Sequence, residues 1–152
     1  MSEVLDLSSA PEADIHAHRI LILDFGSQYT QLIARRIREQ NVYSEIVPYS
    51  VSSDDIRQRD PKAVILSGGP DSVYAEGAPT LDPLIVELGV PVLGICYGFG
   101  LLMKYDDGIV MSNGQREYGF AELDAENDSS LFKGISKKSQ VWMSHGDTVD
   151  KL

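Results

Sequence analysis

The stretch Val90-Pro91-Val92-Leu93-Gly94-Ile95-Cys96-Tyr97-Gly98 decides how the rest of the chain is read. A short apolar run, Val90 to Ile95, enters a Gly-x-Cys-x-Gly turn, and Tyr97 to Lys104 follows with helix-forming character. Strand, tight turn with one reactive side chain, then helix is the layout of a nucleophile elbow, with Cys in place of Ser. The flanking glycines permit the turn and the close approach of helix to strand. A thiol at a helix N-terminus also sits where aligned peptide dipoles favour negative charge. The backbone N–H of Tyr97 is placed to stabilise an oxyanion on a carbonyl attacked by Cys96. A lone cysteine also packs well as a small apolar side chain, and the local sequence leaves both readings open.

Upstream, the same alternation recurs. Arg19 to Phe25 (RILILDF) reads as a strand buried on both faces, halted at Gly26. From Ser27 to Gln40, apolar Tyr29, Leu32, Ile33 and Ile37 lie on one helical face, with Ser27 as the expected N-cap. Tyr43 to Pro48 predicts a second strand and Ser53 to Arg59 a short helix. Lys62 to Ser67 predicts a third strand ending at Gly68-Gly69-Pro70, and Leu81 to Leu88 a further helix. Strands alternating with helices predict an α/β fold, an open and mostly parallel sheet with helices on both faces. Beyond Asp106-Asp107-Gly108 the pattern weakens, and Gly119 to Leu123 and Gln140 to Met143 read as partly antiparallel strands around a polar stretch at 124–130.

Composition bounds the function. The chain has 152 residues and a formal charge of −10, and its single Cys excludes an internal disulfide framework and a multi-Cys zinc site. A pI near 4.6 argues against a general nucleic-acid binder. No apolar run approaches the roughly 18–20 residues that cross a bilayer. Residues 1–18 are polar, lack a basic and apolar signal pattern, and read as a flexible leader. The expectation is a cytoplasmic protein with no membrane and no nucleic-acid partner.

Ligands of open parallel sheets bind at the carboxyl ends of the strands. Three loops fall there: Asp24 to Gln28, Ser67 to Ser72, and Gly94 to Gly98. The Gly68-Gly69 pair suits backbone N–H groups converging on an anion, or simply a loop needing positive φ. A cysteine nucleophile needs a base. His16 and His18 precede the first strand and are badly placed, whereas His145, in Met143-Ser144-His145-Gly146-Asp147, reads either as a base or as a solvated loop residue.

Five segments occur in a telling order: Ile22 to Tyr29 (ILDFGSQY), Ile65 to Pro70 (ILSGGP), Gly94 to Gly98 (GICYG), Arg116 to Gly119 (REYG) and Val141 to Asp147 (VWMSHGD). Together they resemble the class I glutamine amidotransferase domain of the GMP synthases, over residues 19–152, a partial domain of flavodoxin-like architecture. The resemblance implies that Cys96 attacks the side-chain amide of glutamine, forming a thioester and releasing ammonia. It implies oxyanion-hole N–H groups from Gly69 and Tyr97. It also implies that Ser144, His145, Gly146 and Asp147 help form the glutamine pocket and a neighbouring-domain contact. No cofactor or metal is implied for this domain. ATP and Mg would belong to an ATP-pyrophosphatase domain or subunit that aminates XMP to GMP.

Three departures accompany the resemblance. The family's triad His and Glu lie in a His-Pro-Glu segment after the Ser-His-Gly-Asp motif, and Leu152 comes before it. The elbow continues as Phe99-Gly100 where the family has Met-Gln, and Gly100 in a helix costs about 1 kcal/mol relative to Ala. Tyr105 to Gly108 replaces a Leu-Gly-Gly turn. Two expectations follow: a glutaminase fragment with negligible turnover alone, or a non-catalytic binding or regulatory module that keeps the fold. A flavodoxin-like receiver or nucleotide binder fits the strand pattern but leaves the Gly-x-Cys-x-Gly turn unexplained.

Overall fold

The computed structural model describes residues 14–69, 72–125 and 129–151. In chain order the elements are β1 (Ile20–Asp24), α1 (Thr30–Arg38), β2 (Ser44–Pro48), α2 (Ser53–Arg59), β3 (Ala63–Leu66), α3 (Pro83–Glu87), β4 (Val92–Gly94), α4 (Tyr97–Tyr105), β5 (Ile109–Asp124) and β6 (Lys138–Lys151). A single turn of 3-10 helix, Ser130–Phe132, joins the last two strands.

Strands β1 to β4 form one parallel sheet in the order β2-β1-β3-β4. Successive side chains point to opposite faces of a strand, so Leu21 and Leu23 serve one face of β1 and Ile20 and Ile22 the other. Leu21 and Leu23 join Val64 and Leu66 of β3, and onto them pack Ile56 of α2, Ile85 of α3 and Leu101 of α4. The opposite face, Ile22 with Ile65, is covered by Ala34, Ile33 and Ile37 of α1. Helices therefore cover both faces, as expected. Each fully buried Leu or Ile stabilises the fold by about 1.5–3 kcal/mol, so the short β1 is the anchor of both cores.

The chain winds from β1 outward to β2, then crosses to β3 on the other side of β1. This reversal sets the loops after β1 and β3 side by side over the carboxyl ends of the strands. Beyond α4 the chain leaves the sheet and forms an antiparallel pair, β5 with β6. The pair is far longer than the two short strands expected from the sequence. One of its faces carries Ala121, Leu123, Val141 and Met143 half-buried, and the other carries Tyr118, Phe120 and Trp142 exposed, so apolar residues on both faces hide the alternation. Val110 of β5, buried, and Val149 of β6 tie the ribbon to the main core.

Helix starts differ from the expected ones for local hydrogen-bonding reasons. Helix α1 begins at Thr30, and Ser27 is not its N-cap. The Ser27 hydroxyl instead accepts from Tyr29 N–H at 3.1 Å, while Asp24 Oδ1 accepts from Gly26 N–H and from Thr30 Oγ1–H, both at 2.9 Å. Such side-chain turns compete with the helical ladder and delay it. Strand β4 is shorter than expected because Pro91 has no N–H to donate, yet Val64 N–H still reaches Pro91 O at 3.0 Å. Of the expected leader, residues 1–13 lie outside the described residues, as do Pro70, Asp71 and 126–128. Residues 15–18 form turns, with the His16 ring edge-on to Tyr43 at 4.5 Å.

Helix α3 supplies a pH-dependent contact. Asp82, its N-cap, accepts from the Ser53 hydroxyl and from Leu84 N–H at 3.0 Å. The Ser53 bond and then the Leu84 bond hold the Asp82 carboxyl below the usual carboxylate range. A pKa lower in the folded state gives stability that is present above the unfolded value of about 4 and lost as pH falls through the folded one. Asp82→Ala should cost about 1 kcal/mol at pH 7. In urea titrations the deficit should shrink as the pH is taken below 4; a deficit independent of pH would show that the charge is irrelevant.

Candidate active site

Cys96 sits between β4 and α4, at the N-cap of the helix, with φ 52° and ψ −109°. That conformation is sparsely populated by any residue with a Cβ. It holds the thiol exposed at the carboxyl end of the sheet. The elbow is permitted by its glycines. A Cβ on Gly94 would lie 2.6 Å from the backbone of Phe99, and one on Gly98 would lie 2.4 Å from Leu66 O. Helix α4 therefore crosses the ends of β3 and β4 at a distance only glycine allows, as the sequence suggested.

Two segments converge on the thiol, the loop after β3 and the ribbon. From β3 come Ser67, Gly68 and Gly69. Ser67 is fully buried, its hydroxyl accepting from Phe25 N–H at 3.0 Å and donating to Gly68 O at 3.0 Å, so it locks the β3 loop to the β1 loop. A Cβ on Gly69 would lie 3.0 Å from Tyr97 Cγ and 3.1 Å from Phe25 O, so the two residues expected to form the oxyanion hole pack against each other. The buried Tyr97 ring leans on Phe25 with centroids 5.6 Å apart, and its hydroxyl donates to Pro79 O at 2.6 Å. From the ribbon comes Ser144, whose carbonyl lies 4.0 Å from Cys96 Sγ.

The structure thus gathers Cys96, Tyr97, Gly69 and Ser144 in one place. His145, Gly146 and Asp147 continue along β6, half-buried. The β5–β6 register shifts between Ser112 and Glu117, opposite this segment, so the Ser-His-Gly-Asp motif passes an irregular part of the ribbon. Glu117 pairs with His145 in that register. The sequence places Ser67 and Ser27 in loops at the carboxyl ends of β3 and β1, but it gives Ser67 no role of its own and reads Ser27 as a helix cap. Gly100 is buried with its missing Cβ aimed at Val73 Cγ1, 3.0 Å away, so a larger residue there must displace Val73.

A separate open groove lies at the ends of β1 and β2, lined by Asp24, Phe25, Gly26, Ile46, Val47, Pro48 and Tyr49. It contains no cysteine and is distinct from the Cys96 turn. Among the described residues no cluster of His, Cys, Asp and Glu is arranged to hold a metal ion, and no helix is long and apolar enough to cross a membrane.

This geometry can be set beside known proteins. A family model, glutamine amidotransferase class-I, matches residues 21–152. The chain belongs to the class-I glutamine amidotransferase family. Amidotransferase relatives include the glutamine-hydrolyzing GMP synthase of Campylobacter lari, 56% identical over 133 residues that span 88% of this chain and 26% of the relative. The corresponding enzyme of Natranaerobius thermophilus is 54% identical over 133 residues, 88% of this chain and 26% of the relative. The chain therefore spans about a quarter of the length of the curated relatives it matches. Among solved structures, a Thermoplasma acidophilum protein described as a GMP synthase subunit superposes with a TM-score of 0.74 at 24% identity, covering 88% of this chain and 67% of that one. PurLQS from Thermotoga maritima superposes with a TM-score of 0.64 at 18% identity, covering 89% and 70%. These two likenesses concern the fold of the amidotransferase.

Proposed function

We propose that this chain is the glutamine-hydrolysing portion of a GMP synthase, with Cys96 as its nucleophile. The observation that carries the reading is the Cys96 turn: an exposed thiol in a strained backbone conformation, at a helix N-terminus, beside Gly69 and Tyr97. The Cys96 thiolate adds to the carboxamide carbon of glutamine, and the oxygen of the tetrahedral adduct takes its negative charge against the Gly69 and Tyr97 N–H groups. Collapse breaks the C–N bond. The nitrogen leaves with an added proton as ammonia, and a γ-glutamyl thioester remains. Water then attacks the thioester, releasing glutamate and restoring the thiol. Ser144, His145, Gly146 and Asp147 line the glutamine side of the site, beginning at the Ser144 carbonyl beside the sulfur.

In this reading the ammonia passes to an ATP-pyrophosphatase domain or subunit that aminates XMP, and ATP and Mg2+ belong to that partner. The names and lengths of the relatives support it. The exposed Tyr118, Phe120 and Trp142, 65%, 64% and 77% accessible on one face of the ribbon that touches Cys96, offer an apolar surface for such a contact.

Covalent capture is the test that bears on Cys96 itself. A chloromethyl ketone with the amino-acid end of glutamine should label Cys96 at least about tenfold faster than iodoacetamide does, by virtue of binding beside the thiol. Glutamine should protect. Equal rates with both reagents and no protection by glutamine, read by mass spectrometry, would favour a binding module that has lost the chemistry.

A further inference from the structure

We infer that Ser27 is a hydrogen-bond donor to the carbonyl oxygen of the group bound against Cys96, a role that deepens the glutaminase reading above and rests on it. The placement comes from Gly68. An atom at the position of its missing Cβ would lie 3.4 Å from Ser27 Oγ and 3.5 Å from Cys96 Cβ. The serine hydroxyl and Cys96 Cβ therefore flank the same side of the residue-68 backbone, left bare because residue 68 has no side chain.

Ser27 is held there by a built loop. Asp24 Oδ1 binds Gly26 N–H and the Thr30 hydroxyl, and the Thr30 hydroxyl lies 3.1 Å from Ser27 O. Phe25 N–H is tied to Ser67 on the neighbouring loop. Within this frame the Ser27 oxygen accepts from Tyr29 N–H at 3.1 Å, which leaves the hydroxyl proton to be donated elsewhere. Among the described residues it has no acceptor. A donor on the loop beside Cys96 selects an acceptor on the reacting group, and in a carboxamide or ketone attacked at carbon that acceptor is the carbonyl oxygen. As the thiolate adds, the oxygen gains charge and the Ser27 bond strengthens; no bond to Ser27 oxygen is made or broken. Ser27 would thus work beside the Gly69 and Tyr97 N–H groups, from the opposite loop.

The test uses the same two reagents on the whole chain, with maximal capture rate and half-saturation measured separately. For Ser27→Ala the maximal rate of chloromethyl ketone capture should fall about 10²-fold, the loss typical of one oxyanion donor. Half-saturation, iodoacetamide alkylation and the melting temperature should stay close to wild type. Ser27→Thr, which keeps the hydroxyl, should restore most of the rate. Gly68→Ala places a methyl group on that side of the backbone with no contact below 3.4 Å, so it should fold and also slow capture. Equal slowing by both reagents in Ser27→Ala would assign the residue to loop structure and overturn the inference. A change confined to half-saturation would place the contact at the amino-acid end and overturn it as well. If wild type is captured selectively and Ser27→Ala matches it, the inference fails while the glutaminase reading stands; if wild type shows no selective capture, that reading itself fails.

Discussion

Gly98→Ala is expected to cost about 3 kcal/mol or more, the range of a forced overpacking that the surroundings cannot relieve. The added Cβ would lie 2.4 Å from Leu66 O, 2.5 Å from Leu66 Cβ and 2.7 Å from Leu66 C. Two of these atoms are backbone of the central strand β3, and Leu66 is fully buried. Relief therefore requires α4 to lift off the sheet. That movement would break the 3.1 Å bond from Gly98 N–H to Ser67 O and draw Leu101 out of the core. For a chain of this size each kcal/mol is worth roughly 2–4 °C in melting temperature, so a fall of about 10 °C is expected. Gly68→Ala is the control, since its Cβ meets neighbours only at 3.4 Å and beyond. Circular-dichroism melts of the two variants check the argument. Similar melting temperatures would show that the strand–helix approach does not depend on glycine.

The same contact explains what is legible in the sequence. Glycines on either side of a cysteine, between an apolar run and a helix, record a close approach of backbones that periodicity alone would not reveal. Likewise β1 and β3 announce themselves as apolar runs because both faces of a parallel sheet are covered. The ribbon reads too short for the converse reason. Its Tyr118, Phe120 and Trp142 lie outward, so the hydrophobic pattern does not mark which face is inside. Ser27 reads as a helix cap because Ser before an amphipathic stretch normally is one. Asp24 alters that outcome by capturing Gly26 N–H and Thr30, residues that propensity treats separately. The site shows the same division. Cys96, Gly69 and Tyr97 carry local signals, whereas the approach of the Ser144 carbonyl to the thiol follows from the path of the ribbon, which the motif around it does not encode.

Replacing the nucleophile should separate chemistry from stability. Cys96→Ala is expected to abolish capture of the chloromethyl ketone entirely, because the chain has no other thiol, while its melting temperature stays near that of wild type. Alanine retains the Cβ, and the exposed sulfur contributes little burial. Cys96→Gly should be equally unreactive yet more stable. At φ 52° and ψ −109° a Cβ carries about 1–3 kcal/mol of backbone strain. Glycine is free of it and gives back about 0.5–1 kcal/mol through its larger unfolded-state entropy. The net expectation is a gain of about 1 kcal/mol, or roughly 2–4 °C. The glycine variant melting above both wild type and Cys96→Ala would show that the fold holds residue 96 in an unfavourable conformation, a cost that makes sense only for presenting its side chain. If the glycine variant instead melts at or below the alanine variant, the turn stores no more than the roughly 0.5–1 kcal/mol that the unfolded-state entropy of glycine offsets. The thiol would then owe its exposure to the flanking glycines alone.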